Sequence, residues 1–129
     1  MSKNSNGGES KMKSFIFVKT QKEGFHFWKD APAQISFLRN VHRHIFFIET
    51  YISIKHNNRE IEFFMFKKEV ESMITNIWYK YNLDNIGCSG VSCEMISNEL
   101  RTKIIELYPK REVRIYVSED NENGSYIEY

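Results

Sequence analysis

Apolar residues along this chain fall into four short runs and two longer stripes, and the spacing inside each predicts an element. Ser14 to Thr20, with Phe15, Ile16, Phe17 and Val18 in succession, predicts a first strand with apolar side chains on both faces, hence one covered on both. A second strand is expected from about Arg43 to His56. On it Phe46, Ile48, Ile52 and Ile54 share a face with His42 and His44, while Ile45, Phe47 and Tyr51 share the other. Asn57-Asn58, two residues that tolerate positive φ, mark a reversal, and Arg59 to Glu62 returns from it. Phe63, Phe66, Val70, Met73, Ile74 and Ile77 form the stripe of an amphipathic helix ending near Tyr81. Cys93, Ile96, Leu100, Ile104 and Leu107 form a second stripe, with Ser92 as N-cap, Glu94 in the first turn and Pro109 as the stop. Val113, Ile115 and Val117 alternate with Arg114, Tyr116 and Ser118 in a third strand, and Asn123-Gly124 predicts a hairpin turn into a short fourth, Ser125 to Tyr129.

The remaining stretches are punctuation. Residues 1–12, mostly Ser, Asn, Gly, Lys and Glu, have nothing to bury and read as a flexible tail, leaving 13–129 as a single domain. Gln21 to Asn40 reads as a long loop anchored by Phe25-His26-Phe27-Trp28 and Phe37-Leu38, and a loop of that length in a small domain tends to be functional. The element order is ββααββ, an α+β class with a four-stranded antiparallel sheet and two helices on one face. Two open edges and a second sheet face that still carries apolar residues predict a subunit that associates with copies of itself.

Charge narrows the partners. With 18 Lys and Arg against 17 Asp and Glu, no basic footprint argues for nucleic acid or an anionic membrane. No apolar run approaches the ~18 residues of a membrane span, and the N-terminus lacks the apolar core of a secretory signal, so the expectation is a soluble, cytoplasmic protein. Cys88 and Cys93, four residues between them, suit neither a disulfide framework nor a two-residue metal or redox motif, and read as free thiols.

Candidate chemistry begins at His42-Arg43-His44. On an extended strand, side chains two apart project from the same face, so the two imidazoles stand together as half of a metal clamp. Such a pair is more often incidental, and a third ligand is needed.

Several short motifs, in order, resemble the 6-pyruvoyltetrahydropterin synthase and 6-carboxytetrahydropterin synthase family. His26 in Gly24-Phe25-His26-Phe27, followed by His42-Arg43-His44, resembles the family's histidine and later His-Gly-His, which together hold a catalytic zinc. Ile61-Glu62-Phe63 resembles its Ile-Asp-Phe, and Val91-Ser92-Cys93-Glu94 its Pro-Thr-x-Glu. Ile115-Tyr116-Val117-Ser118-Glu119 resembles its Val-x-Val-x-Glu. The resemblance spans about Lys13 to Tyr129. It implies a tunnelling fold assembling into a homo-oligomeric barrel, zinc on His26, His42 and His44, and a pterin or purine-like ligand gripped by Glu119 with help from Ser92 and Glu94. A carboxylate suits that grip because it accepts two parallel hydrogen bonds from a 2-amino-pyrimidinone.

The chain also departs from the pattern. The family's catalytic cysteine lies four residues before the first His of His-Gly-His, where this chain has Leu38, which exchanges no proton. The family's Asp-His between the helices corresponds to Asp84-Asn85, so the titrating ring is missing. Asp84 and Cys88 are the remaining catalytic candidates, and Cys93, on an apolar stripe, reads as core. The expected activity is a zinc-dependent lyase-type or side-chain-cleaving reaction. The alternatives are an inactive pterin- or purine-binding protein on the same fold, or a structural protein whose histidines are coincidental.

Overall fold

The computed structural model describes residues 12–86 and 89–129, so Cys88 and the expected tail apart from Met12 lie outside the described residues. The chain runs β1 (Ser14–His26), β2 (His42–Ile54), α1 (Phe63–Tyr81), α2 (Cys93–Leu107), β3 (Val113–Glu119) and β4 (Asn123–Glu128), with a kinked 3-10 helix, Ala33–Arg39, between the first two strands. The strands form one antiparallel sheet in the order β1-β2-β3-β4. The α+β class and the ββααββ order are as expected. Among the described residues no helix is long and apolar enough to cross a membrane.

β1 is the main correction. It continues through Thr20 to His26, residues expected in a loop, and pairs with β2 at every step from Ser14 opposite Ile54 to His26 opposite His42. The inward-facing positions of that second half are Thr20, Lys22, Gly24 and His26, so apolar alternation vanishes while backbone pairing continues. Gly24 is needed there for close approach, because a Cβ would stand 2.9 Å from Phe46 Cε1 and 3.3 Å from Trp78 Nε1. Only the segment 27–41 remains a connection, closed by Trp28 N donating to Leu38 O at 2.7 Å and Arg39 Nε to Ala31 O at 2.7 Å.

Both helices lie on one sheet face. Val18, Phe46, Ile48, Ile52, Val113, Ile115 and Val117 meet Phe66, Val70, Ile74, Ile77 and Trp78 of α1 and Ile96, Leu100 and Ile104 of α2 in one buried cluster. The helical stripes overreach at their ends: Phe63 opens α1 and Leu107 closes α2, and each is about half exposed. The opposite sheet face is not covered by any of the described residues, contrary to the expectation for the first strand. There Phe17, Tyr51, Tyr116 and Tyr126 form an aromatic row across all four strands, with successive centroids 5.1, 5.9 and 4.4 Å apart.

The caps follow the sequence more closely than the turns do. Glu62 accepts from the N–H groups of Phe64 and Met65, Ser92 accepts from Met95, and Asn82 closes α1 in the left-handed region. In the reversal after β2 positive φ falls on Arg59, not on Asn57 or Asn58. The last hairpin turns at Asp120 and Asn121, both at positive φ, with Glu122 N donating to Glu119 O at 3.0 Å. Asp and Asn tolerate that region, so the turn comes before Asn123-Gly124. Gly124 instead pairs with Ser118 inside the hairpin, where a Cβ would lie 2.0 Å from Val117 O.

Near the base of the sheet, Arg111 donates to Ser53 O at 2.9 Å and grips the Glu60 carboxylate, which also accepts from Lys55 N at 2.6 Å. The guanidinium, then the Lys55 amide, hold the Glu60 carboxyl at about 2 instead of 4.5. A depressed carboxylate pKa stabilises the fold above the unfolded value, and that contribution disappears as pH falls through the folded one. The urea midpoint of the apo-protein is therefore expected to fall between pH 4.5 and about 2. Arg111→Met should flatten that dependence.

Candidate metal centre

Strand register assembles the site. His26 ends β1 opposite His42 at the start of β2, and His44 follows two residues on, on the same face and opposite Gly24. Phe46 is next on that face and is paired with Glu119, the last residue of β3. Three strand ends thus deliver three imidazoles and a carboxylate to one corner of the sheet, on the core side. Ring centroids are separated by 4.5 Å (His26 and His42), 4.9 Å (His42 and His44) and 5.4 Å (His26 and His44). One ligand atom from each histidine lies within 4.8 Å of the others. His26 is buried, and His42 and His44 are partly so.

The outer nitrogen of every ring is occupied. His26 Nδ1 lies 2.7 Å from Val91 O, His42 Nδ1 2.9 Å from Asn40 O, and His44 Nδ1 2.6 Å from Asp120 Oδ2. Each partner is an acceptor, so each Nδ1 donates and each Nε2 of the neutral ring keeps its lone pair, the tautomer a metal ligand needs. Buried Nε2 atoms of His26 and His44 have no hydrogen-bond partner among the described residues. An orphaned polar atom in a buried setting costs about 1–3 kcal/mol. A cation between them would satisfy both, so the donor set fits a divalent metal ion.

Glu119 completes the corner, with Oε2 3.0 Å from His26 Nε2 and Oε1 3.5 Å from His44 Nε2. Neither contact has hydrogen-bond geometry, so the carboxylate lies beside both nitrogens without capping either. Burial alone would lower the His26 pKa, but the neighbouring Glu119 carboxylate and the Val91 carbonyl outweigh it, and the net shift is upward. His26 beside it holds the Glu119 carboxyl below the usual range, and His44 does the same for Asp120.

The other sequence candidates contribute no group to this cluster. Ser92 spends its hydroxyl on the cap of α2, and Glu94 in the following turn is exposed, although Val91 just before them binds His26. Asp84 is exposed in the loop after α1. Cys93 is buried, and burial, then Glu119 and Glu94, push its thiol up to about 12, which keeps it protonated at neutral pH, as a core residue should be. Trp28 is half exposed and Trp78 is core. Arg43 points away from the metal face and pairs with Glu23. Asp120 is the residue sequence reasoning missed, because an Asp in a turn after a strand has no signature of its own.

Asp120 gives the site a prediction. Its Oδ1 accepts from Ile45 N at 2.9 Å while Oδ2 faces His44. In Asp120→Asn the amide oxygen can keep the Ile45 bond, leaving the NH2 group to face His44 Nδ1 and favouring the wrong tautomer. Zinc affinity is expected to drop about 10- to 100-fold, measured by chelator competition, with the unfolding midpoint of the apo-protein little changed.

No model of a known protein family matches the chain, and no curated protein is similar to it at a significant level.

Proposed function

We propose that the chain is a cytoplasmic zinc-binding protein of the tunnelling-fold type, similar to the 6-pyruvoyltetrahydropterin and 6-carboxytetrahydropterin synthases, that acts on a pterin or a related purine-derived heterocycle. The observation that supports it most is the convergence of His26, His42 and His44 with every Nδ1 held by an acceptor. Three imidazoles suit zinc, as they suit several other transition metals, and the resemblance selects zinc among them. Zinc in such a site supplies Lewis acidity, polarising a substrate oxygen and easing loss of a neighbouring C–H proton.

The chain's own residues set the kind of reaction. Leu38 sits partly buried in the 3-10 helix and cannot act as acid or base, and Asn85 is exposed and does not titrate. Cys93 does not replace the missing thiol, since it stays protonated. Asp84 remains the described proton-exchanging candidate: it follows Leu83, whose carbonyl accepts from Phe25 N at 2.8 Å, next to His26. A lyase-type or side-chain-cleaving reaction distinct from that of the standard synthases follows, with Ser92 and Glu94 at the start of α2 offered to the ligand.

Leu38 and Asn85 equally favour a second reading, a protein of the same fold that binds a pterin without turning it over. Incubating the zinc-loaded protein with dihydroneopterin triphosphate and related pterins, then separating products, discriminates. New products support the enzyme, binding without products supports the second reading, and neither binding nor products overturns both. The open edges β1 and β4 and the aromatic outer face support a homo-oligomer, which a monomer by light scattering at micromolar concentration would contradict.

A further inference from the structure

Resting on the metal reading above, we infer that Glu119 is the fourth protein ligand of the resting metal site, so that this chain closes from within a position that three histidines alone would leave open. The resemblance assigns Glu119 to a ligand's ring, yet its carboxylate stands against two of the metal-binding nitrogens. In a tetrahedral zinc site with metal–ligand bonds of about 2.0–2.2 Å, neighbouring ligand atoms are about 3.4 Å apart. Glu119 Oε2 lies 3.0 Å from His26 Nε2 and Oε1 3.5 Å from His44 Nε2, so each oxygen stands about one such edge from a metal-binding nitrogen. Neither carboxylate oxygen makes a hydrogen bond to a ring nitrogen, which leaves both nitrogens for a metal beside the carboxylate.

Lone pairs point the same way. With Nδ1 of His26 donating to Val91 O, Nε2 of the neutral ring bears a lone pair and faces a carboxylate oxygen that also bears lone pairs. Two acceptors at that separation repel unless a proton or a metal ion joins them, and a metal also serves the unpartnered Nε2 of His44. Charge closes too: a divalent ion with Glu119 bound and Asp120 behind His44 is neutralised by two carboxylates, which suits a corner where His26 is buried. The consequence is chemical: an incoming oxygen or nitrogen donor would meet a site already held by four protein groups, and would either displace the Glu119 carboxylate or add as a fifth ligand beside it.

The test uses the full chain, with zinc and cobalt(II) as probes. Unsubstituted protein is expected to bind one zinc per chain and to give an intense four-coordinate cobalt visible spectrum that azide perturbs weakly. Glu119→Gln and Glu119→Ala are expected to lose at least about 100-fold in zinc affinity by chelator competition, and Glu119→Ala to gain a water-occupied position that azide binds readily. Glu122→Gln, exposed three residues away, serves as the charge control and should match the unsubstituted protein. One zinc per chain with unchanged affinity and spectrum in both Glu119 variants overturns this inference and leaves the three-histidine site standing. No zinc bound by the unsubstituted protein overturns the metal reading itself, and this inference with it.

Discussion

Replacing His26 by alanine is expected to strip zinc from the protein while leaving the fold in place. Structural zinc binding in small domains amounts to about 10–16 kcal/mol, so one ligand of four accounts for roughly 2.5–4 kcal/mol, or a ~70- to 900-fold loss of affinity. His26 is the most informative of the three, because it is the buried one, enters from a different strand and is held by Val91 O in the loop just before α2. Truncation orphans that carbonyl, at a cost of about 1–3 kcal/mol against a total stability of about 5–15 kcal/mol, which a folded domain survives. Zinc stoichiometry by atomic absorption and affinity by competition check the result, with circular dichroism confirming the fold. His42→Ala and His44→Ala should behave alike, whereas His56→Ala, exposed beyond the end of β2, should bind like the unsubstituted protein. Full zinc occupancy in all three cluster variants would sink the metal reading.

Legibility from sequence followed the strength of each local signal. Helices α1 and α2 are readable almost to the residue, because their buried faces repeat with helical period and Ser92 stands where the first-turn amides of α2 need an acceptor; the cap that Glu62 makes on α1 has no such signature. β2 and β3 were readable by alternation. The second half of β1 was not: it is an edge strand whose inward residues are Thr20, Lys22, Gly24 and His26, so what holds it is backbone pairing to β2, which leaves no apolar mark. That blind spot hid the reason His26 meets His42, namely that they face each other across a ladder rather than approaching through a loop. The final turn was misplaced for a related reason. Asn-Gly is the stronger hairpin signal, but Asp120-Asn121 takes the left-handed positions, and Gly124 serves the crowded contact with Val117. At the site, same-face spacing gave His42 and His44, and resemblance supplied His26 and Glu119. Asp120 and the Val91 carbonyl, which fix the tautomers, come from distant segments and leave no trace in the local sequence.

Phe46→Ala is expected to weaken the fold and the metal site together, and the coupling is the informative part. Phe46 is fully buried in β2, two residues beyond His44, and its ring meets those of His26, His44 and Trp78 edge-on at 5.3, 6.1 and 5.5 Å. Trp78 in turn donates from Nε1 to Glu23 O at 2.7 Å, so α1, β1 and the floor under the imidazoles are locked through one aromatic contact. Truncating a buried Phe costs about 3–5 kcal/mol, a large share of the ~5–15 kcal/mol a domain has. A cavity there also frees both rings to leave the geometry in which their Nε2 atoms converge, and a loss of roughly tenfold in zinc affinity is expected, the size of a lost supporting contact. Binding stabilises only the native state, so the stabilisation gained on adding zinc at fixed concentration should shrink in Phe46→Ala by about 1.4 kcal/mol, the equivalent of that tenfold. Ile104→Ala provides the contrast: equally buried, in α2, it should lose about 2–5 kcal/mol while keeping the whole zinc increment. Urea unfolding of both variants with and without zinc separates the cases. An undiminished increment in Phe46→Ala would mean that the imidazoles are held by their Nδ1 partners alone, and that the aromatic floor supports the core without supporting the site.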